Sequence, residues 1–421
     1  MAEGGDGRSD ALIIGGGHNG LVCAAYLAAA GLRVTVLERR AVVGGAAVTE
    51  EFHPGFRNSV ASYAVSLLNP KIIRDLDLPG QGLRIVERRL ANFLPTADGR
   101  YLIAGGGRTQ EEVARFSPRD AARLSDYHER LESIADLLRD LVLTTPPNAL
   151  EGSWRSALPE LMRAARVAGR LRRLDMAQRR ELLALFAMSA GDYLDNWFES
   201  EPIKALFGFD SIVGNYASPY TPGSAYVLLH MVFGEVNGKR GAWGHAIGGM
   251  GAITQAMARA AAARGALIRV SSPVREVLVE GGRAVGVVTE SGETLRAAAV
   301  ISNLNPRLLY LKMLAPSALP PEFREHMSHW RCGSGTFRMN VALRELPDFT
   351  CLPGRQPADH HTAGIIIAPT LGYGNYRGPL PGLYMCGSGT HPGGGVTGAP
   401  GHNAAREVIS DFRHGRLRRV A

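Results

Sequence analysis

The sequence predicts an α/β protein in which a discontinuous, Rossmann-like dinucleotide-binding domain carries an inserted α+β domain. Three observations lead there. A short apolar run at 10–14 (DALII) enters a glycine-rich turn, an alanine-rich helical pattern and a second apolar run at 33–37 (RVTVL). Short apolar runs bounded by turn residues return between 266 and 302. In the long stretch between these regions the apolar residues recur at helical spacing.

The first unit is the most informative. Residues 10–14 read as a buried parallel strand, and the GGGHNG that follows places Gly15, Gly17 and Gly20 in a G-x-G-x-x-G pattern. Each glycine has its own physical role. Gly15 permits the tight turn, Gly17 lets the backbone approach a pyrophosphate, and Gly20 lets helix pack on strand. The helix at 21–30, capped by Gly31, offers its N-terminal N–H groups and dipole to the phosphates. The strand at 33–37 ends at Glu38, whose carboxylate can accept hydrogen bonds from an adenosine ribose and disfavours a 2′-phosphate. Strand, turn, helix, strand and acid in this order argue for a bound dinucleotide over a ligand-free turn.

After Glu38 comes a Gly-Gly pair at 44 and 45. This E-x-x-x-x-x-G-G continuation resembles flavoproteins of the glutathione-reductase type, in which the pair lets the chain pass close to FAD. The expected cofactor is therefore FAD, and Arg39 and Ala46, which flank the two features, join the expected cofactor-binding set.

Longer stretches carry a more specific resemblance: 18–63 (HNGLVCAAYLAAAGLRVTVLERRAVVGGAAVTEEFHPGFRNSVASY), 196–205 (NWFESEPIKA), 218–230 (SPYTPGSAYVLLH), 241–253 (GAWGHAIGGMGAI) and 382–405 (GLYMCGSGTHPGGGVTGAPGHNAA). Together they resemble the phytoene-desaturase-like branch of FAD-dependent oxidoreductases, in particular the group named for a pyridine nucleotide-disulfide oxidoreductase domain and its bacterial relatives. That group name implies a redox cysteine pair, yet Cys23, Cys332, Cys351 and Cys386 are all isolated. A second nucleotide fold is also not expected. The GGMG at 248–251 has no strand recognisable before it and Thr254 where a third glycine belongs, so it reads as the turn into an alanine-rich helix at 252–264 that packs on the flavin domain.

The flavin domain is expected in three pieces, 1–75, 241–303 and 377–421. In the second, 266–270, 274–280, 284–290 and 295–302 read as strands, with Gly281-Gly282 and Ser291-Gly292 as hairpin turns. The resemblance implies that a backbone amide near Val274 meets the adenine edge. In the third, seven glycines fall within 387–401. Beside the N-terminal motif this stretch reads as a flavin-contacting segment: glycines 393 to 395, Gly395 among them, let backbone lie against the ring, and Gly387 joins the cofactor-binding set. The N–H groups near Val396 and Thr397, leading into a helix at 403–412, face the side of the flavin where negative charge develops on reduction.

The substrate domain is expected at 76–240 and 304–376, with helices at 119–142, 154–174 and 177–198 and strands at 337–343 (FRMNVAL) and 364–368 (GIIIA). The resemblance implies a long stretch between GIIIA and YRGPLPGLYMCG that only PTLGYGN spans here, so this domain is shortened. Tyr220, Tyr226 and His230 are pocket candidates, with ordinary packing as the other reading. His391 is the one catalytic candidate, against a role in fixing a turn. No compact acid–base or metal constellation is present in the sequence; a metal is not expected.

Composition bounds the rest. The chain has 421 residues, 45% hydrophobic, and a net charge of +8 with only Lys71, Lys204, Lys239 and Lys312 among its 47 basic residues. The arginines are dispersed and accompanied by no nucleic-acid motif, so nucleic acid is not an expected partner. The N-terminus carries no signal or transit pattern and no apolar run is long enough to span a bilayer, so a cytoplasmic protein is expected. An arginine-rich amphipathic helix at 163–180 reads either as a solvated face or as a peripheral membrane contact. The expected activity is hydride removal to FAD from an apolar, lipid-like substrate. The electron acceptor would be a quinone, oxygen or a protein. A flavin amine oxidase and a non-catalytic, FAD-stabilised regulatory protein are the alternatives. Replacing Gly395 by a bulky residue is expected to abolish FAD binding; purified protein that stays yellow would overturn that assignment.

Overall fold

A computed structural model describes residues 9–146, 154–213, 217–333 and 337–367. A six-stranded sheet forms from β1 (Ser9–Ile14), β2 (Val34–Leu37), β3 (Leu267–Arg269), β4 (Val274–Glu280), β5 (Arg283–Thr289) and β6 (Thr294–Ser302), in the order β3-β2-β1-β6-β5-β4. The first four in that order run parallel, and β4, β5 and β6 form an antiparallel meander. One strand serves both arrangements: Thr294–Arg296 pair with β5, while Ala297–Ser302 pair in parallel with β1. Gly281 and Gly282 both have positive φ, as the two-residue turn between β4 and β5 requires.

The central strands β1 and β2 are buried on both faces, which is why they read as continuous apolar runs. Ala11, Ile13, Val34 and Val36 face helices α1 (His18–Ala29) and α2 (Met250–Ala263). Leu12, Ile14 and Leu37 face the meander and Met313. Small residues on both helices, Ala24, Ala28, Ala256 and Ala260, let α1 and α2 lie close together.

A second core is helical. The helix Pro118–Val142 begins at Ser117, whose side chain accepts from the Asp120 N–H. The Asp120 carboxylate in turn accepts from the N–H groups of Glu199 and Ser200. Around the buried Tyr127 gather Leu131, Tyr193, Phe198, Phe207 and Leu228. Among the described residues no helix is long and apolar enough to cross a membrane.

Four expectations are corrected. The helix expected at 177–198 is two helices, Met176–Ala187 and Ala190–Trp197, because Ser189 caps the second through the Asp192 N–H. The basic helix expected at 163–180 likewise breaks: Trp154–Arg172 ends, and a capping box at Asp175 and Gln178 starts the next helix. The GGMG turn does have a strand before it, Gly244–Ala246, but this pairs with Ile85–Glu87 in a separate two-stranded sheet. Residues 337–343 alternate like a strand yet form none: Arg338 and Asn340 reach the strand Phe56–Ser59 through their side chains, and no backbone ladder joins the two segments among the described residues. Of 364–368, Gly364–Ile365 do form a strand, parallel to Asn92–Pro95.

Asp210 sits in the helical core with 6% of its surface exposed, and burial pushes its carboxyl up to about 7 from the ordinary 3.8. The native chain then holds a proton that the unfolded chain has released, so Asp210 costs stability progressively as pH rises from about 4 to 7, by up to about 1.4 kcal/mol per unit. Asp210→Asn is expected to raise the thermal midpoint at pH 8 and leave it nearly unchanged at pH 4. Equal shifts at both, by scanning calorimetry, would exclude this origin.

Candidate cofactor and substrate site

The site begins where two glycine turns meet. Gly15 has φ +98° and its N–H donates to the Leu37 carbonyl, which fixes the turn between β1 and α1. A Cβ on Gly20 would lie 2.3 Å from the Gly15 carbonyl oxygen, and one on Gly17 would lie 2.7 Å from Asn303 Nδ2. Gly44 donates its N–H to the Gly16 carbonyl at 2.9 Å and bridges in parallel to Gly17. A Cβ on Gly45 would meet Gly17 Cα at 3.2 Å. Glycine is needed at these positions because neighbouring atoms occupy the space of a side chain.

Glu38 is buried beside this turn. Its two carboxylate oxygens accept from the Gly16 N–H at 2.8 Å and the Arg40 N–H at 2.9 Å. Each oxygen retains a further lone pair, so ribose hydroxyls can donate to the same group. Among the described residues no side chain caps α1 and no acid stands in its first turn, so the field at that helix end suits phosphate. The residues present therefore fit the pyrophosphate and ribose of a dinucleotide. Arg39 and Ala46 are exposed beside the turn. Val274 begins β4 two residues after Ser272, whose N–H donates to the Glu38 carbonyl. Gly387, His391, Gly395, Val396 and Thr397 lie outside the described residues.

The GGMG turn is occupied in a different way. At the start of α2, the Met250 N–H donates to Ser59 Oγ at 3.0 Å and the Gly251 N–H to Thr49 Oγ1 at 2.9 Å. Thr254 Oγ1 donates back to the Ala47 carbonyl at 3.1 Å. The N-terminus of α2 is thus filled by hydroxyls of the hairpin Thr49–His53 and Phe56–Ser59, and it clamps the Gly44–Gly45 turn in place.

A cavity of about 360 Å³ opens beside this clamp, lined by Thr49, Arg57, Ser59, Tyr63, His245 and Gly249 among others. Arg88 Nε donates to His245 Nε2 at 2.9 Å, and the Tyr63 backbone engages the other ring nitrogen. Burial first, and then the Arg88 charge, hold His245 below the ordinary histidine value. Arg88 also lies 5.9 Å from the Trp243 ring centre, and Trp243 stacks edge-on with His230 at 5.2 Å. Of the expected pocket residues, His230 reaches the cavity wall only through Trp243. Tyr226 stacks on Phe186 and Tyr220 covers Gly191, both away from the cavity. Sequence reasoning missed Asn303, Thr49 and Ser59; their hydroxyl and amide types carry no signal until the fold brings them to the glycines.

A family model described as flavin containing amine oxidoreductase matches residues 20–336. The chain belongs to that family. It is accordingly an FAD-dependent oxidoreductase. The rat protein named pyridine nucleotide-disulfide oxidoreductase domain-containing protein 2 is 32% identical over 96% of this chain and 94% of its own. That alignment runs 549 positions, whereas 96% of 421 residues is about 404, so about 145 positions face no residue here. The all-trans-zeta-carotene desaturase of Myxococcus xanthus is 29% identical over 77% of this chain and 57% of its own. A solved triple mutant of putrescine oxidase shares the fold at a TM-score of 0.50 and 19% identity, covering 76% of this chain. This chain spans 63% of that structure's length.

Gly20→Ala is expected to weaken FAD binding at least tenfold and leave purified protein nearly colourless. Gly169→Ala, with open space around it, should keep the parent's flavin content. Equal FAD affinity for both variants, by titration of the apoprotein, would break the assignment of the turn.

Proposed function

We propose that this family member removes hydride from an apolar, lipid-like substrate held in the cavity beside the Gly44–Gly45 turn. The observation that carries this reading is the segment 337–343. Phe337, Met339, Val341 and Leu343 are 87, 65, 56 and 57% exposed and alternate with Arg338, Asn340 and Ala342. Arg338 and Asn340 reach the Ser59 carbonyl, Asn340 meets Asn58, and the Arg338 guanidinium lies 4.8 Å from the Tyr63 ring centre. The polar side thus grips the cavity rim, and the apolar side offers a rail along which a hydrocarbon chain can lie.

In this reading residues 1–75, 241–303 and 377–421 hold the cofactor in a fold of the glutathione-reductase type, and 76–240 with 304–376 hold the substrate. Gly15, Gly17, Gly20 and Glu38 would hold the pyrophosphate and ribose, with Val274 toward the adenine and Gly44 and Gly45 beside the flavin. Bound FAD supplies the hydride acceptor and delivers the electron pair to a quinone, oxygen or a protein. His245 accepts from Arg88 at Nε2 and directs its one ring N–H to the Tyr63 backbone, so it orients the cavity wall.

The family description and the putrescine oxidase fold raise amine oxidation as a second reading. A protonated amine would meet Arg57 in the lining, with Arg88 behind His245 and Arg338 against Tyr63, and no carboxylate lines the cavity among the described residues. That charge distribution supports the apolar substrate. Under anaerobic conditions an unsaturated lipid or polyene extract is expected to bleach the flavin absorbance, and primary amines to leave it intact. Bleaching by amines, with hydrogen peroxide on readmission of air, would reverse the choice. Met339→Asp is expected to slow reduction by the apolar substrate at least tenfold at unchanged flavin content.

A further inference from the structure

We infer that the helix Trp154–Arg172 docks this protein on an anionic lipid surface. From Ala157 to Arg172 none of its side chains is buried. At 100° per residue, Leu158, Leu161, Met162, Ala165 and Ala168 share one arc of about 120°, and Arg163, Arg166 and Arg170 occupy the arc beside it. Leu158, Leu161 and Met162 are 57, 54 and 51% exposed. An amphipathic helix of a globular protein turns such an arc toward the core. Here the arc faces outward.

The charge on the helix selects the occupant. Arg163, Arg166, Arg170 and Arg172, with Arg173 in the following turn, outnumber the one acid between Trp154 and Arg172, Glu160, which pairs with Arg163 at 2.8 Å. The same character continues beyond the Asp175 cap, with Arg179 and Arg180 exposed beside Met176, Leu183 and Phe186. Arg179 Nη2 donates to the Arg172 carbonyl at 2.8 Å and ties the two basic segments together. A second copy of this chain would set one arginine row against another, a like-charge clash. A bilayer with anionic headgroups receives guanidinium groups at the phosphate level and shallow leucine and methionine side chains below it.

This inference is independent of the substrate. Intact flavin-loaded protein is sedimented with phosphatidylcholine vesicles and with vesicles carrying phosphatidylglycerol. Binding is expected only to the anionic vesicles, and to fall as salt is raised. Arg166→Glu/Arg170→Glu and Leu161→Asp/Met162→Asp are each expected to lower the partition coefficient at least tenfold, with flavin absorbance and circular dichroism unchanged. Equal binding to both vesicle types, or variants that bind like the parent, would overturn the proposal. So would an absence of vesicle binding, with or without a dimer in light scattering that the same substitutions dissolve.

Discussion

The close approach of Gly17 to Gly44 and Gly45 is the constraint on which the site depends. It brings the β1–α1 turn and the turn after β2 within backbone contact, and it sets where Glu38 lies relative to the helix end. The contact is made by atoms every residue possesses, so its specificity comes from absent side chains. A methyl group at Gly20 would collide with a carbonyl that cannot move without unmaking the turn. The cradle is therefore sterically determined before any cofactor chemistry enters.

A second constraint holds the first in place. Thr49 and Ser59 saturate the leading N–H groups of α2, and Thr254 returns a hydrogen bond to Ala47. These three bonds convert a glycine motif that looks like a second nucleotide site into a structural clasp. They also distinguish the two glycine-rich helix starts of the chain. At α1 none of the described side chains caps Gly17; at α2 two hydroxyls hold the leading N–H groups.

The sequence was most legible where chemistry is local. The order of strand, glycines, helix and Glu38 is contained in adjacent residues, and β4 and β5 follow from alternation plus the Gly281-Gly282 turn. It was less legible where a partner lies far along the chain. Thr49 and Gly251 are adjacent in space through a bond spanning 202 residues. The break at Ser189 hides inside a good helical pattern because a serine cap is a weak local signal until Gly191 must fit beneath Tyr220. Residues 337–343 show the opposite failure. Their alternation is a true strand signal, but a strand also needs a backbone ladder, and here only side chains reach the neighbouring strand.

The double use of β6 bears on how the chain is made. Its second half completes the parallel sheet against β1, and the two strands are separated by nearly three hundred residues. At about 5–20 residues per second, synthesis leaves β1 without that neighbour for roughly 15 to 60 seconds. The meander can pair with itself at once, since its turns are short. The N-terminal unit, with a buried apolar strand and an open edge, must wait, and it is during that interval that the nascent chain is most exposed to wrong pairing or to chaperone capture.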